Sequence, residues 1–284
     1  VLKGLDSVGP KMRKLVEAVR AATDEKTLLL HCWRGGMRSS SLSWLLNLVG
    51  YNVYLLKDGY KAFRRFVLEA FGIPRNIIIL SGATGSGKTE ILNHLRKKDE
   101  QVIDLERNAQ HKGSAFGGLG EHPQPTQQNF ENLTALQWDG LDSKLPVWLE
   151  DESQKIGSRM IPQNLWAQMR NSIVIYLKMP IELRVERLCN DYGCFETTEL
   201  QAATERLRKR IGGLHAKTIL ESIEKGDLKK SSEFLLRHYY DKTYLHGLSR
   251  RNSNLIYSLE TTTLDAKENA EKILQFSQKI LERV

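Results

Sequence analysis

The sequence predicts a parallel α/β protein with a helical C-terminal region. Short apolar runs of strand length alternate with stretches of helical spacing along most of its 284 residues. That alternation is the pattern of parallel strands joined by crossover helices. Two of the runs, Thr27-Leu28-Leu29-Leu30-His31 and Asn76-Ile77-Ile78-Ile79-Leu80, lead directly into glycine-bearing loops, and a helical pattern follows each loop. Between them Gly72-Ile73-Pro74 breaks the pattern and reads as a linker. It divides the chain into residues 1–73 and 74–284.

Within the first part, residues 10–22 place Met12, Leu15, Val16 and Val19 three and four apart, which predicts a helix. Residues 27–31 read as a buried parallel strand. A helix is expected over 39–49, stopped by Gly50. A strand over 52–56, a turn at Asp58-Gly59 and a helix over 60–71 complete this part. The second part begins with a strand over 76–80, a helix over 88–97 and a strand over 101–105. Residues 112–126 are rich in Gly, Pro and Gln and read as a long surface loop. A helix over 129–141 precedes a buried strand over 145–149 that ends in Glu150-Asp151-Glu152. Another strand, 172–177, ends at Met179-Pro180. Residues 181–244 are mostly helical in pattern. A last strand is expected over 255–259 and a closing amphipathic helix over 264–283.

Apolar residues make up 40% of the chain, enough for a sizeable core. The net charge of +8 points toward an acidic partner such as nucleic acid. Its distribution is uneven. Lys and Arg outnumber Asp and Glu by 13 to 6 over residues 1–75 and by 12 to 6 over 200–251, whereas residues 76–199 carry 13 against 17. No apolar stretch is long enough to cross a bilayer, and the N-terminus lacks a signal-peptide pattern. The three cysteines, Cys32, Cys189 and Cys194, are too few for a disulfide scaffold. A reducing, cytoplasmic compartment is therefore expected. The chain opens on Val1-Leu2-Lys3-Gly4 rather than methionine, so the first part of a domain is expected upstream.

The second glycine loop, Gly82-Ala83-Thr84-Gly85-Ser86-Gly87-Lys88-Thr89, matches the Walker A pattern in full, with the required strand before it and helix after it. Gly82, Gly85 and Gly87 free the backbone to turn its N–H groups around an oxyanion, and Ser86 sits among them. The helix N-terminus adds its dipole. Lys88 brings a point charge to the terminal phosphates, and Thr89 is a candidate Mg²⁺ ligand. This fixes a P-loop NTPase-like domain that recognises a pyrophosphate, whatever is attached to it. Such a loop also needs a carboxylate at a neighbouring strand end. Asp104 offers one. Glu150 and Asp151, after Pro146-Val147-Trp148-Leu149, offer others, and Asp151 is the chosen candidate for catalysis and, with Thr89, for the metal. Arg159, Arg184 and Arg187 are cations that could reach phosphate, though surface pairing explains each of them better.

In the first loop, His31-Cys32-Trp33-Arg34-Gly35-Gly36-Met37-Arg38-Ser39, the cysteine stands between a strand end and a helix start. Loop amides and the helix dipole favour the thiolate there, and Arg34 and Arg38 add positive charge. The spacing from Cys32 to Arg38 satisfies the tyrosine-phosphatase pattern, but the same loop resembles rhodanese domains. The segment from Gly50 to Tyr60 favours the rhodanese likeness, and no general-acid Asp loop is evident. Cys189 and Cys194 lack a second pair at zinc spacing and read as structural.

Three motifs stand in order: Cys32-Trp33-Arg34-Gly35-Gly36-Met37-Arg38-Ser39, Ser81 to Thr89, and Val147-Trp148-Leu149-Glu150-Asp151-Glu152-Ser153. With His111-Lys112-Gly113-Ser114-Ala115-Phe116-Gly117, Ile156-Gly157 and Ile161-Pro162, they make the chain similar, over nearly its whole length, to the tRNA 2-selenouridine synthases. These fuse a rhodanese domain to a P-loop domain, and only the second half of the rhodanese domain corresponds here. The resemblance implies conversion of 2-thiouridine to 2-selenouridine at the wobble position of tRNA. The sulfur would first be geranylated from geranyl pyrophosphate, and selenium from selenophosphate would then replace the S-geranyl group. By the same analogy Cys32, flanked by Arg34 and Arg38, handles selenium, and the P-loop with Lys88 holds the pyrophosphate. A basic stretch, Arg206, Arg208, Lys209 and Arg210, with Lys217, Arg250 and Arg251, would grip the tRNA backbone. His111 and Ser114 are expected near the reacting centre, and a selenophosphate-producing enzyme is an implied partner. Two other readings stay open on residues alone. One is a P-loop ATPase or kinase with a rhodanese sulfurtransferase module. The other is an RNA-binding protein whose phosphate site is only structural.

Overall fold

The computed structural model describes the backbone of residues 2–282 and the side chains of residues 7–282. Two compact units emerge, Val1–Glu69 and Ala70–Val284. The boundary falls just before the Gly-Ile-Pro break because Ala70 and Phe71 are buried, and the Phe71 carbonyl accepts from Gln168 in the second unit.

In the first unit, helix α1 (Leu2–Ala22) runs further back than the spacing of 10–22 implies, with Pro10 inside it. Strands β1 (Thr27–Leu30) and β2 (Asn52–Leu55) pair in parallel, and helix α2 (Met37–Leu48) joins them. Strand alternation turns Leu28, Leu30 and Val53 onto a core of Val16, Leu45, Leu46 and Tyr51. It leaves the register partners Leu29 and Tyr54 exposed on the other face. Helix α3 (Gly59–Ala70) closes the unit.

The second unit is built on a five-stranded sheet. Its strands are β3 (Ile77–Gly82), β4 (Gln101–Ile103), β5 (Val147–Glu150), β8 (Ile173–Lys178) and β9 (Ile256–Glu260). They lie in the order β4-β5-β3-β8-β9, every pair parallel. The intervening β6 (Lys155–Ile156) and β7 (Arg159–Met160) form a separate small antiparallel hairpin that hydrophobic spacing did not announce. Strand β3 is central and buried along its whole length, as its unbroken apolar run requires. Helices α4 (Lys88–Arg96) and α13 (Ala266–Leu281) cover one face. Ile91, Leu92, Leu95, Ala270 and Ile273 pack there on Ile78, Leu80, Trp148 and Ile175. Asp265 caps α13, accepting from the Lys267 and Glu268 amides. Arg283, at the end of the expected closing helix, lies outside the described residues.

Between these elements, α5 (Leu105–Ala109), α6 (Gln127–Asp139) and α7 (Gln163–Arg170) flank the sheet. The 112–126 stretch has no regular structure, but it is not wholly a surface loop, because Phe116 and Leu119 are buried. They pack into a second core made by helices α8 (Ile181–Tyr192), α9 (Thr197–Ile211), α10 (Gly213–Glu224) and α11 (Leu228–Leu235). A π-helical turn, Leu236–Tyr240, links α11 to α12 (Asp241–Ser249). Among the described residues no helix is long and apolar enough to cross a membrane.

Candidate active site

In a parallel sheet, ligands meet the C-terminal strand ends, and there β3 delivers the loop 82–89 onto α4. Gly85 and Gly87 adopt φ of +83° and +76°, which side-chain-bearing residues avoid. A Cβ on Gly85 would come within 2.9 Å of the Arg184 carbonyl oxygen, and one on Gly87 within 2.7 Å of Arg187 Cζ. The glycines therefore let α8 close over the loop. Ser86 Oγ is buried without a hydrogen-bond partner, an orphan polar group in the cradle itself. The loop opens into a cleft of about 2550 Å³, counted to its open mouth.

Lys88 Nζ donates to the Gly82 carbonyl at 2.9 Å and lies 3.4 Å from Glu150 Oε1. Thr89 Oγ1 is 3.1 Å from Glu150 Oε2 and 3.2 Å from Glu106 Oε2. With Glu152 these make a cluster in which one carboxylate oxygen from each of Glu106, Glu150 and Glu152 lies within 4.8 Å of the others. Burial, and then the charge of Glu150, raise the pKa values of Glu106 and Glu152; burial likewise raises that of Glu150. For Lys88 burial works against the charge, but Glu150, Glu152 and Glu106 outweigh it and the pKa is raised. One ammonium cannot balance three ionised carboxylates in a buried site. The cluster must hold protons or a divalent cation, and its oxygen-only donor set suits Mg²⁺. Gly113 (φ +64°) is pressed against this cluster, since a Cβ there would lie 2.5 Å from Glu152 Oε2.

In the first unit Cys32 stands near the start of the loop after β1. The Gly36 amide donates to its sulfur at 3.2 Å and the Ser39 hydroxyl at 3.3 Å. These bonds, Ser39 first and Gly36 next, lower the thiol pKa to about 6. The Asp58-Gly59 turn clamps the loop from below, with the Tyr60 amide donating to the Cys32 carbonyl at 2.9 Å. A Cβ on Gly59 would lie 2.3 Å from that carbonyl oxygen, so this position needs glycine. Cys189 moves the other way, its pKa raised chiefly by burial. Iodoacetamide labelling of Cys32 should therefore rise with pH around a midpoint near 6 and outpace Cys189 at pH 7. Ser39→Ala should move that midpoint up by removing the largest stabilising bond. A midpoint unchanged in S39A, followed by peptide mass spectrometry, would contradict this account of the thiolate.

A family model described as the tRNA 2-selenouridine synthase AAA domain matches residues 75–273. The tRNA 2-selenouridine synthase of Bdellovibrio bacteriovorus is 34% identical over 274 residues, covering 81% of this chain and 71% of that one. The chain belongs to the tRNA 2-selenouridine synthase family. The synthase of Nitrosomonas europaea is 30% identical over 277 residues, 80% of this chain and 71% of its own. Among solved structures, the tRNA isopentenylpyrophosphate transferase of Bacillus halodurans aligns over 74% of this chain and 98% of its own, at 13% identity and a TM-score of 0.40. A likeness that distant carries no argument.

In this tRNA 2-selenouridine synthase family member, the carboxylate beside Thr89 is Glu150, not Asp151. Asp151 accepts from Ser81 Oγ at 2.5 Å, from Tyr244 Oη at 3.3 Å and from Arg251. Those partners engage both of its oxygens at the wall of the cleft, which it also lines. Asp104 caps α5, accepting from the Arg107 amide. Arg184 forms a bidentate pair with Asp241. Arg187 lies over Gly87, paired with Glu90. Arg34 and Arg38 are exposed beside Cys32.

The basic stretch of this synthase relative divides. Arg206, Arg208 and Lys209 stand exposed on α9, Arg208 pairing with Glu205. Arg210 and Arg250 line the cleft, and Lys217 pairs with Glu221. Arg251 is buried against Asp151 and cannot touch a tRNA. His111 packs against the β6–β7 turn, where a Cβ on Gly157 would meet its ring at 2.7 Å, whereas Ser114 lines the cleft. Glu106 and Glu152 were not singled out from sequence. Strand β5 ends at Glu150, and the Glu152 amide turns back to donate to the Glu150 carbonyl, which no strand pattern signals.

Proposed function

We propose that this chain converts 2-thiouridine to 2-selenouridine at the wobble position of tRNA by way of S-geranyl-2-thiouridine, with geranyl pyrophosphate and selenophosphate as co-substrates. The observation that carries the reading is the loop 82–89. It is open to a large cleft, holds an orphan Ser86 hydroxyl, and has Lys88 at its base. In the first step the thione sulfur attacks C1 of the geranyl group. The S–C bond forms as the C–O bond breaks, its electron pair leaves on pyrophosphate, and the base loses its N3 proton. The loop and Lys88 take up the charge developing on the leaving group. Glu106, Glu150, Glu152 and Thr89 would hold Mg²⁺, which when bound supplies further charge neutralisation.

Alkylation turns the sulfur into a better leaving group. In the second step the selenium of selenophosphate attacks C2, the C2–S bond breaks and geranylthiolate departs; attack of water on phosphorus then breaks the P–Se bond, releases phosphate and leaves selenium on C2. Cys32, in a partial rhodanese-like unit, serves this exchange as a thiolate flanked by Arg34 and Arg38. For the tRNA, the reading is supported by the cleft lining: Lys112, Arg170, Arg210 and Arg250 for phosphates, Tyr239 for a base. Three free thiols fit a cytoplasmic setting, beside an enzyme that supplies selenophosphate.

Mass spectrometry of 2-thiouridine tRNA incubated with the protein and geranyl pyrophosphate should detect the S-geranyl nucleoside. Adding selenophosphate should convert it to 2-selenouridine. Cys32→Ser should accumulate the geranylated form. Loss of both steps in C32S would overturn the division of labour, and no geranylation by the unaltered protein would overturn the whole reading.

A further inference from the structure

A second, apolar recess opens beside the loop 82–89, and its place gives it a function. It lies inside the α8–α11 core, walled by Phe116, Leu188, Leu200, Ile223, Leu228 and Leu235. It holds about 520 Å³ of space not filled by atoms, counted to its open mouth. At that mouth stands Thr84 of the phosphate loop. Thr84, Ser114, Leu188, Tyr192 and Tyr240 each line both this recess and the large cleft that contains Lys88 and Thr89.

A packing defect does not account for these features together. Protein interiors are close-packed, and an empty space of this kind lowers stability. This one shares lining residues with the cleft of the anion cradle rather than being sealed, and its walls are mainly apolar. Tyr240 Oη sits at the junction, buried and without a geometrically sound hydrogen bond. Tyr240 ends the π-helical turn Leu236–Tyr240, an irregularity often placed at functional sites. On the other side Gly85 brings the phosphate loop against the recess wall, since a Cβ there would lie 3.3 Å from Leu188 Cγ. An anion cradle joined to an apolar recess matches one kind of ligand, a hydrocarbon chain esterified to a diphosphate.

The geometry points to the recess among α8, α9, α10 and α11 as the seat of the hydrocarbon chain, with its diphosphate head in the loop 82–89 and Tyr240 at the joint. This rests on the diphosphate reading of that loop under Proposed function. It adds the residues that select the chain: Leu200, Ile223 and Leu228 set its length, and Ser232 bounds one wall.

Calorimetry on the full chain tests this with inorganic pyrophosphate, geranyl pyrophosphate and the C15 farnesyl pyrophosphate. The unaltered protein should bind geranyl pyrophosphate at least about 100-fold more tightly than inorganic pyrophosphate, as burial of a ten-carbon chain implies. Ser232→Phe, which fills the recess, should lose most of that difference and keep inorganic pyrophosphate binding. Leu228→Ala, which enlarges it, should shift preference toward the C15 chain. If S232F misfolds and loses both ligands, the L228A ratio of C15 to C10 binding decides, and an unchanged ratio overturns the assignment. If the unaltered protein binds inorganic pyrophosphate but gains nothing from the chain, the recess assignment fails and the cradle stands. If it binds neither, the diphosphate reading itself fails.

Discussion

Lys88→Ala is expected to slow geranyl transfer by about 10²–10³-fold, the usual effect of removing one preorganised donor from a developing oxyanion. Lys88 is seated against Gly82 O and Glu150, at the base of the loop that meets the leaving group. Its removal also strips the Glu106–Glu150–Glu152 cluster of its counter-charge, and those carboxyls, already raised in pKa, will take up protons instead. The fold should therefore survive. Single-turnover measurement of S-geranyl tRNA, with tRNA binding followed in parallel, separates the effects. The rate should collapse while tRNA affinity stays. A rate within threefold of the unaltered protein would remove Lys88 from the chemistry. Loss of tRNA binding alone would make the loop a scaffold for RNA.

Arg251→Ala is expected to be the costliest single change to stability, about 3–5 kcal/mol, because it leaves a buried carboxylate without its partner. The Arg251 side chain is 1% exposed and Asp151 10%. Arg251 also donates to the Met169 carbonyl at 2.7 Å. Asp151→Asn should likewise destabilise by stranding Arg251. The double variant D151N/R251A should cost less than the two single changes added together, since neither ion is then left alone. Urea denaturation of the four proteins gives the coupling. If D151N retained full stability and instead lost turnover, Asp151 would be the catalytic carboxylate after all. Glu150→Gln provides the contrast: it should lower turnover with less effect on the fold.

These two residues mark the limit of what the chain discloses before folding. The strand–loop–helix unit around 82–89 was legible because its determinants are local: an apolar run, three glycines, then Lys88 and Thr89. The β1–α2 loop was legible for the same reason, and Ser39, which most lowers the Cys32 pKa, stands within the quoted motif. Composition alone cannot order three consecutive acids, and it takes the fold to set Glu150 beside Thr89 and Asp151 against Arg251. The turn after β5, with the Glu152 amide donating to the Glu150 carbonyl, brings Glu152 back toward Glu150. Glu106 was hidden behind Asp104, which spends its carboxylate on a helix cap. Arg251 and Tyr244 reach Asp151 across 100 and 93 residues, and no local pattern reports such a contact. Residues 112–126 looked like surface because Gly and Pro dominate them, yet the loop buries Phe116 and Leu119 and brings Ser114 to the mouth of the apolar recess.

The anion that leaves during the first step distinguishes prenyl transfer from ATP-driven chemistry. Incubating 2-thiouridine tRNA with the protein and geranyl pyrophosphate, in buffer free of ATP, and quantifying released anions against modified nucleoside, measures that directly. One pyrophosphate should appear for each S-geranyl-2-thiouridine formed. Product that forms only when ATP is supplied, with orthophosphate as the anion released, would contradict it.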